Sequence, residues 1–279
     1  GLGITAAAGL ANMALDALFV VVFRWGLEGA ALATAVSQIV GGAAPLWYFA
    51  RPNRSWLRLG RAEFSRNVLA ITCANGASEL MSNISSSLVS LLFNLQLMRY
   101  AGENGIAAYG VLMYVSMIFQ SAFLGYSVGA APVISYQYGA RNDRELQSLR
   151  RKSLRLIAAF SAGMFASSQL LAGPLSRFFV GYDPELLLLT VHALRLFAFS
   201  FLLCGVGIFG SAFFTALNDG VTSALISFLR TLAFQSLAVL LLPRFWGLDG
   251  IWGSVTMAEI AAATLTLLLI AAKQRVYQY

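Results

Sequence analysis

Five ionisable side chains, Asp16, Glu79, Arg195, Arg230 and Glu259, lie inside long apolar runs of this 279-residue chain. A charge in such a run is costly in lipid, so it marks an ion or substrate path or is neutralised by another charge. At about 1.5 Å of rise per helical residue, each sits roughly 12–20 Å from one end of its run, near the midplane of a ~30 Å hydrocarbon core. Arg230 and Glu259 fall on consecutive runs at similar depth and are expected to form a structural ion pair. Glu79 has no evident opposite charge and is the first candidate for a Na⁺ or H⁺ coupling site. Asp16 is the second.

Around Glu79 the polar residues are periodic. Asn75, Ser78, Glu79, Ser82, Asn83, Ser86, Ser90 and Asn94 fall within an arc of roughly 160° on a helix. Lipid cannot hydrogen-bond such a face, which must meet protein or a water-filled cavity. Helix packing explains the serines but not Glu79, so Asn75, Asn83, Ser86 and Asn94 read as cavity-lining. The next run carries Tyr109, Met113, Ser116, Met117, Gln120, Leu124 and Ser127 at helical spacing. Tyr109, Met113, Met117 and Gln120 suit adaptable contact with varied organic molecules. Ordinary core packing explains this second stripe equally well.

Other chemistries lack their residues. With one histidine, His192, and two cysteines, Cys73 and Cys204, both in apolar runs, no metal site and no cofactor are expected. A serine nucleophile would need a base, and none is evident, so a membrane-embedded enzyme is the least supported class. Gly205-x-Gly207-x-x-Gly210 lies inside an apolar helix without the strand a dinucleotide site requires. The sequons at Asn53 and Asn83 are read as cytoplasmic and intramembrane, and so unused.

The elements that must position these residues follow from composition. The chain is 58% hydrophobic and 11% charged, against about 25% charged in soluble domains. This implies an all-α polytopic membrane protein. Eight spans of about 20 or more residues are expected near 4–23, 29–49, 68–98, 105–137, 153–172, 186–215, 221–242 and 250–272. Alternate connections hold Arg51, Arg54, Arg58, Arg61 and Arg66, then Arg141, Arg144, Arg150, Arg151, Lys152 and Arg155, then Lys273 and Arg275. The opposite ones hold only Arg24, Arg99, Arg177 and Arg244. This asymmetry puts the first set, and the C-terminus, on the cytoplasmic side. The net charge of +7 is thereby explained without nucleic acid.

Trp25-Gly-Leu-Glu-Gly29 and Trp246-Gly-Leu-Asp-Gly250 share four of five residues at an offset of 221. They follow the first and seventh spans, so the repeat is six helices long and its copies are parallel, as in many transporters. Residues 59–279 then hold one complete six-helix lobe. Residues 1–58 hold the last two helices of a preceding, incomplete lobe. The start, Gly1-Leu2-Gly3, shows no signal peptide and reads as the interior of a longer protein.

Four stretches resemble the multidrug and toxic compound extrusion (MATE) family. They are Asn12-Met-Ala-Leu-Asp16 with Gly26-Leu-Glu-Gly-Ala-Ala-Leu-Ala-Thr34; Asn75-Gly-Ala-Ser-Glu79 with Leu92-Phe-Asn94; Gln137-Tyr-Gly-Ala-Arg141, with Gln in place of the usual Asn; and Thr215-Ala-Leu-Asn-Asp-Gly220 with Ser227-Phe-Leu-Arg230, Gly247-Leu-Asp-Gly-Ile-Trp252 and Ala258-Glu259. The resemblance places the chain at about helices five to twelve of a twelve-helix, two-lobed transporter. It implies efflux of small organic, often cationic compounds across the bacterial plasma membrane, driven by Na⁺ or H⁺, by a protein in contact with membrane lipid and monomeric when full length. Glu79 best matches the acid that carries the coupling cation. The alternative is a lipid-linked saccharide flippase of the same superfamily, which should present a more cationic cavity.

Overall fold

The computed structural model describes residues 2–51 and 65–277, with the side chains of Asn75 and Glu79, among a few others, outside the description. Two compact units are resolved, Gly1–Ser65 and Arg66–Tyr279. The expected lobe boundary at 58/59 and the basic residues Arg54, Arg58 and Arg61 lie outside the described residues.

In the first unit, α1 (Leu2–Asp16) continues as a π-helical segment, Ala17–Val22. It packs on α2 (Gly26–Ala50). Phe19, Phe23 and Trp25 cluster at the turn between them, with ring centroids 5.3–6.1 Å apart.

In the second unit, helical residues run from Arg66 to Gly139 but break at Gly102 (φ 60°, ψ −148°). An apolar helix of 60 residues, Leu80–Gly139, would be about 90 Å long, some three times the hydrocarbon core. The break therefore separates two spans, α3 (66–101) and α4 (103–139). Next come α5 (Asp143–Val180) and α6 (Pro184–Ala216), the latter tightened to 3₁₀ geometry at Ala198–Ser200. Then follow α7 (Gly220–Leu241), with a π-helical segment at Leu229–Phe234, and α8 (Pro243–Tyr277), broken at Gly247. Among the described residues, seven helices are long and apolar enough to cross a membrane. With the break at Gly102, the described residues make eight spans, as the hydropathy pattern predicts. Helix α5 runs past its expected span at both ends. The basic run Arg144–Arg155, expected as loop, is helix, and Arg177 lies in its last turn.

The sequence specifies two kinds of turn. On the side expected to be outer, Gly26, Gly102 and Gly247 take left-handed φ of 56°, 60° and 55°, which glycine adopts without steric cost, and Arg24 (φ 56°) does so beside Gly26. The second glycine of each turn lies against the preceding helix: a Cβ on Gly250 would come within 2.5 Å of the Leu242 carbonyl oxygen. On the other side, Arg141 (φ 55°) and Asn218 (φ 62°) end α4 and α6. Asn142 and Asp219 then cap the next helices by accepting from the amides of Glu145 and Thr222. These are sequence-local stop and start signals.

The core of this unit is aromatic, with Phe93, Phe201, Phe209, Phe213, Phe214 and Trp252 fully buried. Leu170, Phe178 and Val221 instead point outward, as lipid-facing side chains do.

Candidate functional site: a polar cavity with a buried ion pair

A cavity of about 1250 Å³ opens among α3, α4, α6, α7 and α8 of the second unit. Helix α3 contributes Ser82, Asn83, Ser86 and Ser90, and α4 contributes Tyr109, Met113, Ser116, Met117 and Gln120. The α3 stripe is fixed locally, with Ser86 Oγ donating to the Ser82 carbonyl at 2.8 Å. Gln120 Nε2 donates to Ser116 Oγ at 2.6 Å. Tyr109 stacks on Phe93, centroids 5.1 Å apart and planes within 3°. From α6, Phe197 and Phe201 pack edge to face at 5.6 Å and form the aromatic wall.

Of the residues expected to line a cavity, Asn83, Ser86, Tyr109, Met113, Met117 and Gln120 come together here. Asn94 does not; it is half-buried outside the lining. The physical reason is drift: nineteen residues from Asn75 rotate the helix face by roughly 100°. The side chains of Asn75 and Glu79 lie outside the described residues. Asp16 belongs to the first unit, half-buried at the point where α1 becomes π-helical.

Arg230 and Glu259 form the expected pair on the cavity wall. Arg230 Nη2 lies 2.8 Å from Glu259 Oε1, and Nε donates to both carboxylate oxygens at 3.1 and 3.0 Å. Both residues line the cavity, and Arg230 is the more exposed of the two side chains, 12% against 3%. Arg230 sits in the π-helical segment of α7, a geometry often found at functional positions. Gly207 makes room for it, since a Cβ there would come within 2.6 Å of Arg230 Cδ.

Two features were not anticipated from sequence. Between α6 and α7 runs a chain of hydroxyls: Thr215 to Ser223 at 2.7 Å, Ser223 to Ser211 at 2.8 Å, and Ser211 to Ser227 at 2.9 Å. Its signal was legible, because Ser211/Thr215 and Ser223/Ser227/Thr231 each repeat every four residues. At one end of the unit, Asp219 gathers Lys273 (2.5 Å), Thr222 Oγ1 (2.7 Å) and Tyr277 (2.8 Å), and Lys273 also bonds Thr222. Burial pushes the Asp219 carboxyl up, but donation from Lys273, Thr222 and Tyr277 outweighs it and holds the pKa at about 2. His192 meets Asp249 at 2.8 Å, both well exposed. Among the described residues no three His, Cys, Asp or Glu side chains converge as a metal site would require.

Fold and site together define a polytopic all-α membrane protein with a polar, aromatic-walled cavity inside one helical unit. Residues 80–240 match the MatE family, and the chain belongs to that family. It is 24% identical over 261 residues to the multidrug export protein MepA of Staphylococcus haemolyticus (93% of this chain, 57% of the relative). It is 23% identical over 273 residues to MepA of Staphylococcus aureus strain MSSA476 (96% and 59%). Its fold is similar to an outward-facing multidrug resistance MATE family transporter of the MOP superfamily (TM-score 0.90, 22% identity, 97% of this chain and 61% of that one). It is also similar to a MOP superfamily transporter from Pyrococcus furiosus (TM-score 0.90, 21% identity, 98% and 62%). The chain spans just under three fifths of the length of these curated relatives.

Proposed function

We propose that the gene product containing this chain is a secondary active multidrug efflux transporter, exporting small organic, often cationic compounds in exchange for Na⁺ or H⁺. The observation that carries this reading is the cavity of about 1250 Å³. Its volume and its mixture of apolar walls and placed polar groups suit small-molecule binding, and it lies among membrane-length helices. The MepA relatives are multidrug export proteins, which supports the same cargo class. Asn83, Ser86, Tyr109, Met113, Met117 and Gln120 are the proposed cargo contacts. Asn75 joins them by its place on the α3 stripe.

Glu79 and then Asp16 are the proposed coupling-ion sites, because each is an acid within an apolar membrane-length run. Lobes at 1–58 and 59–279 are supported by the Trp-Gly-Leu-acid-Gly repeat. The Gly102 turn shares the backbone geometry but has Ala101 where the other two have Trp, so residue identity rather than geometry carries that repeat. The loop charges support a cytoplasmic C-terminus, and the protein is proposed to act as a monomer in lipid. A pyrophosphate-carrying cargo would call for several uncompensated cations. Among the described lining residues Arg230 is the cation and Glu259 neutralises it, so a flippase is not favoured.

The test is gradient-driven transport by the whole gene product in lipid vesicles. An imposed Na⁺ or H⁺ gradient should drive accumulation of tetraphenylphosphonium, and Glu79→Gln should abolish the drive while the protein stays folded. Absence of gradient-driven movement, or wild-type coupling in Glu79→Gln, would refute the corresponding half of the reading.

A further inference from the structure

The ion pair on the cavity wall has a geometry that a purely structural pair does not need. A pair serving only to join α7 and α8 could sit anywhere between them. Here both residues line the cavity, and the cation is the more exposed partner, 12% against 3%. Arg230 uses Nε and Nη2 for Glu259, and a guanidinium carries further N–H donors beyond those two bonds. Gly207 leaves the space in which this side chain lies. Apart from this pair, the described lining residues are uncharged: serines, threonines, Asn83, Gln120, Gln235, Cys204, aromatic rings and aliphatic or thioether side chains.

We propose that Arg230 is a specificity-determining residue that masks Glu259 and keeps the cavity free of net charge. Cargo is then held by the aromatic and methionine walls and by a hydrogen bond from the guanidinium to an acceptor oxygen. The ligand class this cavity takes is an amphiphile with an aromatic body and a carbonyl or carboxylate oxygen. A cationic group on the cargo meets ring faces rather than a free carboxylate. This inference rests on the transporter reading above and narrows it: positive charge is tolerated at this cavity and is not what is selected.

The experiment uses the whole gene product, purified in detergent, and two probes: 2-naphthoate, an aromatic carboxylate with no cationic group, and tetraphenylphosphonium, a permanent cation with no oxygen. Binding of each is measured for wild type, Arg230→Gln, Glu259→Gln and the double variant, with melting and gel filtration as checks on folding. Unmasking Glu259 in Arg230→Gln should tighten tetraphenylphosphonium about tenfold and weaken 2-naphthoate about tenfold, the scale of one close charge interaction. Glu259→Gln should do the reverse. The double variant should return tetraphenylphosphonium to within about twofold of wild type, a difference well under one such interaction. Because the two single variants shift in opposite directions, either one that folds tests the proposal. Tetraphenylphosphonium affinity unchanged across the folded variants would overturn it and leave the transporter reading standing. Failure of the wild type to bind either probe would overturn both.

Discussion

Two ion pairs join the same two helices at different depths. Arg230–Glu259 links α7 to α8 within the membrane-length part of both. Asp219–Lys273 links the cap of α7 to the far end of α8. Along α8 the acceptor Glu259 and the donor Lys273 are separated by about 21 Å of helix. The deeper pair holds two nearly buried charges whose polar environment is chiefly each other. The end pair shares its carboxylate with Thr222, Tyr277 and a backbone amide, and its lysine is 32% exposed. A charge at the helix end can fall back on water and neighbours when its partner is lost. A charge at the cavity wall has only the cavity and its uncharged lining to fall back on. The same contact type is therefore costlier to break on one side only in the first place than in the second.

The largest expected effect comes from breaking the deep pair on one side only. Arg230→Ala leaves Glu259 buried without its cation and should cost about 3–5 kcal/mol of stability, read as a large drop in melting temperature in detergent. A coupled replacement, Arg230→Met with Glu259→Leu, should recover most of that loss, because matched apolar residues can replace a buried pair at little cost. If the single and the coupled variants melted alike, the pair would not be the reason for the loss.

That pair was legible in the sequence for a simple reason. Two opposite charges on consecutive apolar runs at equal depth have few other ways to be satisfied in lipid. The eight spans were legible too, and Gly102 shows why the break between the third and fourth is sharp: its left-handed φ ends α3 within the polar stretch from Arg99 to Asn104 that separates the two apolar runs. Asn94 shows where periodicity fails, since a 3.6-residue pattern followed for five turns walks off the face it started on. The aromatic wall from Phe197 and Phe201 was hidden, because phenylalanine in a membrane span reads as lipid-facing or core alike. Asp219 was hidden for another reason. Its partners Lys273 and Tyr277 are more than fifty residues away in sequence, and no local spacing announces a contact made only when α8 returns to the α6–α7 turn.

The end pair should give a smaller, pH-dependent effect. Asp219→Asn removes the acceptor that Lys273 and Tyr277 share and should destabilise by about 1–2 kcal/mol. In the wild type the carboxyl pKa is held at about 2, below its ordinary value of 3.8, so its contribution is complete only above about pH 5. It fades as pH falls through 3.8 towards 2. The stability difference between wild type and Asp219→Asn should close over that window; a gap unchanged at pH 2 would show that ionised Asp219 is not its source.

The smallest effect belongs to the exposed contact between His192 and Asp249, with side chains 56% and 58% exposed. His192→Ala should change stability by no more than about 0.5 kcal/mol, as solvent-screened pairs generally do. A loss as large as that of Asp219→Asn would contradict the ordering by depth.

The central claim, that the cavity of the second unit is the cargo path, is tested most directly by filling it. Ser86 lines that cavity on α3 and its hydroxyl bonds only within its own helix at Ser82, so Ser86→Trp should occlude the space without unsettling the fold. Measured in vesicles under an imposed Na⁺ or H⁺ gradient, the wild-type gene product should move tetraphenylphosphonium. Ser86→Trp should melt like wild type and move none. Transport at the wild-type rate by a folded Ser86→Trp protein would place the cargo path elsewhere and contradict the claim.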